Sequence, residues 1–336
     1  MRVGSGDHIY DWVENWPDAP ESESARNGWS HHGIVVSETG DIYTGHQDDP
    51  IVQVFGGDGR FKRAWPSGCD DTHGLTLVKE GGTEYLWIAD NGAKRRPSTA
   101  FEYPDPDAKV TGQAVKKTLD GEDVMKLDTP PVDAYGEGDY KPTWVAVNEE
   151  RNGGNGDIWV ADGYGASQVH RYSKDGEYIS SITGEEGEAG AFDCPHAIMI
   201  DTRKSEPELY VADRANGRVQ VYDAEGGWKR VFGSDFLTSP SGFATHGDLL
   251  VIAELKARLA NCDPEDRLLV YLGANGAVAD VDGWPNNKNE KGESVRTSLL
   301  QEGKFNSPHG MTVDADGNIL VAEWLIGGRF IKLAKV

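Results

Sequence analysis

The sequence predicts an all-β fold, a six-bladed β-propeller, and three observations carry that prediction. One strand–turn–strand unit recurs six times along the 336 residues. Inside each copy apolar and polar residues alternate with a period of two, which marks strands rather than helices. The 42 glycines and 16 prolines are spread along the whole chain, as a fold of many tight turns requires.

The unit opens with a polar or Pro-containing lead-in to a short apolar strand. A turn with Gly or Asp follows, then a second strand of the form (I/L)(W/Y/L)(V/I)A(D/E). The first copy is HHGIVVSETGDIYTGH from His31 and the second THGLTLVKEGGTEYLWIADNG from Thr72. The third is KPTWVAVNEERNGGNGDIWVADGYG from Lys141 and the fourth PHAIMIDTRKSEPELYVADRANG from Pro195. SPSGFATHGDLLVIAELK from Ser239 and SPHGMTVDADGNILVAEW from Ser307 complete the six. Runs such as IVQVFGGDG, QVHRYSKDG and RVQVYDAEG supply the outer strands of blades 1, 3 and 4. Their D-G, N-G and G-G steps provide the positive φ that tight hairpins need. Repeats of this length match propeller blades of three or four strands.

HIYDWVENW, from His8, precedes the first copy and reads as an outer strand that completes the last blade, which leaves no long free edge. The expectation is one domain over 1–336, with charged or polar insertions at about 92–140 and 273–303. Long loops of this kind serve as lids or as decoration.

The formal charge is −23. A surface this acidic repels nucleic-acid phosphate and anionic lipid, so neither is expected as a partner. Three cysteines, Cys69, Cys194 and Cys262, are too few for a disulfide framework. The opening MRVGSGDHIYDW has no apolar h-region and no run is long enough to span a membrane, so the expectation is a soluble, cytoplasmic monomer acting on a small molecule.

Aligning the copies at their first strand places His32, His73, Thr143, His196, Ser241 and His309 at one repeat position. Four of the nine histidines fall there. One histidine at such a turn would be structural; several converging on one axis suit a borderline cation, zinc above all, with manganese, iron or nickel also compatible with the ligand type. After the second strands a further set follows: His46 and Gln47, Asp90 and Asn91, Asp162 and Tyr164, Asp213 and Arg214, Glu254 and Lys256, Glu323 and Trp324. These carboxylates either orient the histidines or cap their strands. Tyr164 and Arg214 stand out, since a tyrosine beside a cation can act as a base and an arginine can clamp a carboxylate.

THGLTLV, KPTWVAV with WVADGYGASQVHRYSKDGEYI, PHAIMI with LYVADRANGRVQVYD, and SPHGMTV together resemble peptidyl-α-hydroxyglycine α-amidating lyase, a propeller of the NHL-repeat type. The resemblance covers all six repeats but not the two insertions. It implies a catalytic zinc on His73, His196 and His309, with Tyr164 moving a proton and Arg214 holding the substrate. The reaction it implies is cleavage of the C–N bond of an N-acyl-α-hydroxyglycine to an amide and glyoxylate. Three features depart from the family. Gln47 replaces a first-blade arginine. Gly310 replaces an aspartate that helps hold a structural calcium, so calcium is not expected. The disulfide cysteines have no counterpart. His32 is an extra candidate, as a fourth ligand or a base, so the catalytic candidates are Tyr164, Arg214, Gln47 and His32. Two other readings use the same scaffold: a metal-assisted hydrolase, hydratase or dehydratase, and a non-catalytic binding platform.

Overall fold

The computed structural model of the chain describes residues 1–97, 110–136 and 139–336. Six antiparallel sheets of four or five strands follow one another along it, and the fold is the six-bladed β-propeller expected from the repeat. Blade 1 comprises Ile34–Val36, Ile42–Gly45, Ile51–Phe55 and Phe61–Pro66, and blade 2 comprises Gly74–Glu80, Thr83–Asp90, Gln113–Thr118 and Asp123–Lys126. Blade 3 is Trp144–Val147, Ile158–Asp162, Gln168–Tyr172 and Tyr178–Ile182, and blade 4 is Pro195–Asp201, Glu208–Asp213, Arg218–Asp223 and Trp228–Phe232. Blade 5 runs through Pro240–His246, Leu249–Glu254, Arg258–Cys262 and Leu268–Leu272.

Blade 6 is Pro308–Val313, Ile319–Glu323 and Arg329–Lys335, and the start of the chain completes it. His8–Glu14 pairs with Arg329–Lys335, placing Tyr10 opposite Lys335 and Glu14 opposite Ile331. Arg2–Ser5 adds a fifth, outermost strand that the sequence reading passed over, because four mostly exposed residues carry no apolar alternation. The stretch read as an insertion at 92–140 also holds the two outer strands of blade 2, Gln113–Thr118 and Asp123–Lys126. Lysines at 116 and 117 hid the first of them: both lie nearly buried and are ion-paired, to Glu80 and Asp123. Residues 98–109 and 137–138 of that stretch lie outside the described residues. The stretch 273–303 contains a short 3-10 helix, Gly276–Asp280, and a small hairpin of Asn287–Lys288 with Ser294–Val295.

The strands gather into two compact units. One comprises Met1–Gly68, Ala244–Val336 and a short piece beginning at Lys94; it contains blades 6 and 1 and most of blade 5. Its apolar residues close the spaces between neighbouring blades. Trp12, Val251, Leu259, Phe305, Ile331 and Leu333 fill one cluster, and Ile34, Ile42, Phe55, Leu320 and Phe330 another. The other unit, Cys69–Ala93 and the stretch ending at Phe243, contains blades 2 to 4 and the start of blade 5. Trp87, Ala89, Val145, Val160 and Tyr172 pack there between blades 2 and 3. Apolar residues on neighbouring strands meet in these seams, which is why the strand pattern reads so clearly. Among the described residues no helix is long and apolar enough to cross a membrane.

Blade 3 also buries a polar chain. The Tyr135 hydroxyl donates to Asp162 Oδ2 at 2.6 Å and lies 2.6 Å from His170 Nε2, while His170 Nδ1 meets Ser181 Oγ at 2.7 Å. Burial pushes the His170 pKa down to about 3. In the unfolded chain that imidazole titrates near 6.5, so the unfolded state binds the extra proton first as pH falls. The stability His170 protects is therefore complete above about pH 6.5 and declines below it by about 1.4 kcal/mol per pH unit, until pH approaches 3. Urea unfolding at pH 7 and 4.5 should show wild type losing about 2–3 kcal/mol more across that interval than His170→Phe. Equal losses would assign the acid sensitivity elsewhere.

Candidate metal and proton-transfer site

Blades 2 and 4 each bring a histidine to the start of the innermost strand. His73 Nδ1 lies 2.7 Å from the carbonyl of Thr143, and His196 Nδ1 lies 2.8 Å from the carbonyl of Ser241. In both cases the acceptor is the equivalent residue of the next blade. A carbonyl only accepts, so each Nδ1 carries the proton and each Nε2 keeps its lone pair. The same arrangement recurs in the other unit: His309 Nδ1 faces the carbonyl of His32, the equivalent residue of blade 1, at 3.4 Å. The three histidines of blades 2, 4 and 6 thus share one tautomer, fixed by backbone. Such support for a ligand's second nitrogen is how metal-binding imidazoles are oriented.

Local backbone explains how these side chains are aimed. Register shifts interrupt the pairing between Pro195 and Ile198 and between Pro308 and Gly310. A bulge at each place turns His196 and His309 out of the regular alternation. Glycine then lets the backbones approach. A Cβ on Gly74 would come 2.3 Å from the Thr143 carbonyl oxygen, and one on Gly310 would come 2.5 Å from that of His32. These are the same carbonyls that hold His73 and His309, so His-Gly is a packing requirement in these blades. Gly310→Ala should therefore cost about 1–3 kcal/mol of stability and loosen His309. Thermal melting with metal titration would check it; an unchanged melting temperature and metal affinity would show the seam to be slack.

Tyr164 sits between His73 and His196. Its hydroxyl is 3.1 Å from His73 Nε2 and 3.0 Å from His196 Nε2, and Arg214 Nη1 donates to the same oxygen at 3.3 Å. The two imidazoles are 4.8 Å apart, both edge-on to the phenol ring. Tyr164 reaches this place on the DGYG turn. Beside it a Cβ on Gly163 would meet the Pro195 carbonyl at 2.6 Å, and one on Gly165 would meet the Asp162 carboxylate at 2.4 Å. Burial works against the Arg214 charge, but Tyr164 and Cys194 beside it hold its pKa above the ordinary value. Two neutral imidazoles therefore turn lone pairs toward one phenol oxygen that has a single proton to offer. This donor-poor set suits a divalent cation, and nitrogen ligands of this kind suit zinc.

The carboxylates at the ends of the second strands act on backbone. They accept from backbone amides just ahead of them. Asp90 holds the amides of Asp70 and Asp71, Asp162 that of Lys141, Asp213 that of Asp193, and Glu323 those of Asn306 and Ser307. Each fixes the lead-in to its blade's first strand two or three residues before the ring position. Burial raises the pKa of Asp90, Asp162 and Glu323, against the pull of these amides.

His32, expected as a fourth ligand or a base, has a hydroxyl beside each ring nitrogen. Its Nε2 is 2.9 Å from Ser30 Oγ, its Nδ1 is 3.0 Å from Thr44 Oγ1, and its ring stacks on Phe330. The imidazole is buried inside its own unit, and His32 contributes its carbonyl to His309 instead. Its neighbour His31, which the repeat alignment passed over, places its ring 4.7 Å from that of His309. Gln47 lies in the same unit, buried against Gly328, and its Oε1 has no hydrogen-bond partner among the described residues. Thus His73, Tyr164, His196 and Arg214 come together in one unit, and His31 and His309 in the other, with the carbonyl of His32.

No protein-family model matches the chain. It is similar to NHL repeat-containing protein 3 of Mus musculus, 28% identical over 329 residues that cover 93% of this chain and 81% of the relative. The Homo sapiens protein of that name is 29% identical over 261 residues, covering 74% and 67%. Peptidyl-alpha-hydroxyglycine alpha-amidating lyase 1 of Drosophila melanogaster is 29% identical over 272 residues, which cover 75% of this chain but 42% of the lyase. Among solved structures, a streptogramin B lyase superposes with a TM-score of 0.56 at 14% identity, covering 96% of this chain and 97% of that one. Virginiamycin B lyase from Staphylococcus aureus gives 0.54 at 12%, covering 97% and 100%. At such identities the superpositions speak to fold alone. The chain is a six-bladed β-propeller, similar in sequence to NHL repeat-containing proteins and to peptidyl-α-hydroxyglycine α-amidating lyases.

Proposed function

We propose that the protein is a metal-dependent lyase of the α-amidating type, acting on a small N-acyl-α-hydroxyglycine or a closely related hydroxylated carboxylate. The observation that carries this reading is the convergence of His73 Nε2, His196 Nε2 and Arg214 Nη1 on the Tyr164 hydroxyl. His73 and His196 would hold the metal, and His309 shares their repeat position and their Nδ1 arrangement. Zinc bound there supplies a Lewis acid that acidifies a substrate hydroxyl. Tyr164 then takes the hydroxyl proton, the C–N bond breaks with its electron pair going to nitrogen, and the amide nitrogen gains a proton. The products are the amide and glyoxylate. Arg214 stabilises the charge on the Tyr164 oxygen and turns its remaining N–H groups to the substrate carboxylate. The protein acts as a monomer on a small molecule, with neither nucleic acid nor membrane as partner.

One observation favours a neighbouring reaction on the same scaffold, a hydrolysis, hydration or dehydration. The family's arginine is Gln47 here, with an unsatisfied buried oxygen in place of a cation. Elemental analysis followed by a glyoxylate assay with an N-acyl-α-hydroxyglycine separates the readings. One zinc per chain with glyoxylate release supports the lyase. Metal without glyoxylate moves the assignment to the neighbouring reactions. A protein that takes up no metal when zinc is supplied would be a binding platform.

A further inference from the structure

We infer that Tyr135 is a positioning residue for Tyr164, acting through the Asp162 carboxylate; the inference rests on the proton-transfer role proposed above. Tyr164 stands on the turn Asp162-Gly163-Tyr164-Gly165-Ala166, with a glycine on either side. Glycine lets this backbone approach its neighbours closely, but it brings no side chain to hold the turn. The first residue of the turn closes it instead. Asp162 Oδ2 accepts from the Ala166 amide at 2.6 Å, and the Asp162 carbonyl accepts from the Ser167 amide at 3.1 Å. Asp162 Oδ1 accepts from the Lys141 amide at 2.8 Å, which ties the turn to the lead-in of the blade's first strand. One carboxylate therefore clamps the backbone that follows Tyr164.

Tyr135 fixes that clamp from outside the repeat. It belongs to the stretch 92–140 that interrupts the repeat, and its hydroxyl donates to the same Oδ2 that holds Ala166. Having given its proton to Asp162, the Tyr135 oxygen accepts from His170 Nε2 at 2.6 Å. Burial keeps that imidazole neutral, with one N–H, so His170 Nδ1 accepts from Ser181 Oγ at 2.7 Å. The Tyr178 hydroxyl, 2.9 Å from Ser181 Oγ, ends the row. From Ser181 to Tyr135 each proton points toward Asp162, and hydrogen bonds aligned in this way strengthen one another. The rings of Tyr140 and His170, 5.4 and 5.6 Å from that of Tyr135, hold the phenol in place. Without the Tyr135 hydroxyl the carboxylate can rotate, and the Tyr164 oxygen moves with the turn. A displacement of about 1 Å at a reacting group costs about a hundredfold in rate.

The test compares wild type with Tyr135→Phe, which removes one oxygen and keeps the ring. Glyoxylate release from an N-acyl-α-hydroxyglycine and amide hydrogen exchange are read on the same full-length preparations, supplied with zinc. Tyr135→Phe should lower kcat about 10–100-fold with KM nearly unchanged and the far-UV spectrum intact. The Ala166 amide should exchange about tenfold faster or more, while those of Trp159 and Val160 in the adjoining strand keep their wild-type rates. That split separates a local clamp from a general weakening of the blade. In the Tyr164→Phe background Tyr135→Phe should cost less than about twofold, since the oxygen it positions is gone. Wild-type kcat or wild-type Ala166 exchange in Tyr135→Phe would overturn this inference, as would an equal loss in the Tyr164→Phe background. A wild-type protein that releases no glyoxylate would overturn the lyase reading, and exchange at Ala166 would then decide the clamp by itself.

Discussion

His196→Ala should abolish metal retention and lower kcat/KM by about a thousandfold or more. His196 is fully buried, with Nδ1 on the Ser241 carbonyl and Nε2 on Tyr164. Removing the ring takes away one ligand of the proposed set and leaves the Ser241 carbonyl without that donor. It also frees Tyr164 from one of the two imidazoles that place it. Loss of a metal acting as Lewis acid and template removes several kcal/mol of transition-state stabilisation. The structural cost is smaller, about 1–3 kcal/mol, the range for an unpaired buried acceptor. The propeller should therefore still fold, with its far-UV spectrum intact. Zinc content and glyoxylate release, measured on the same preparation, check the prediction. A variant that keeps its zinc and its rate would remove His196 from the site and with it the lyase reading.

How much of this was legible in the sequence depends on the kind of information each residue carries. Blades 3, 4 and 6 were plain, because Ile158–Asp162, Glu208–Asp213 and Ile319–Glu323 are near-continuous apolar strands ended by a carboxylate and buried along their whole length. The outer strands of blade 2 were not, because Lys116 and Lys117 reach ion pairs that only the fold supplies. The repeat position groups His73, His196 and His309, and in each the Nδ1 faces a backbone carbonyl of the next blade. It could not say which member of a His-His doublet points which way. The His32 ring meets Thr44 and Phe330, residues distant from it in the chain. The carboxylates of the second strands showed the same limit. Their spacing was visible, but only the hydrogen bonds reveal that Asp90, Asp162, Asp213 and Glu323 hold the lead-in backbone.

Tyr164→Phe should lower kcat by about 10²–10⁴-fold while the protein retains its full complement of metal. The substitution deletes one oxygen and keeps the ring, whose edge-on packing against His73 and His196 at 5.2 and 5.7 Å does not involve the hydroxyl. Stability should therefore change by no more than about 1 kcal/mol, the net worth of a typical hydrogen bond. If Tyr164 moves the proton, KM should hardly change, because substrate binding does not depend on the phenol. Arg214 donates to that oxygen at 3.3 Å and lies 5.4 Å from the ring, so the two side chains work as a unit. Arg214→Ala in the Tyr164→Phe background should then cost less than Arg214→Ala alone, since one of its tasks is already gone. Steady-state kinetics of the two single variants and the double variant measure this directly. Additive losses would confine Arg214 to the substrate, and a Tyr164→Phe enzyme at wild-type rate would pass the proton transfer to another group.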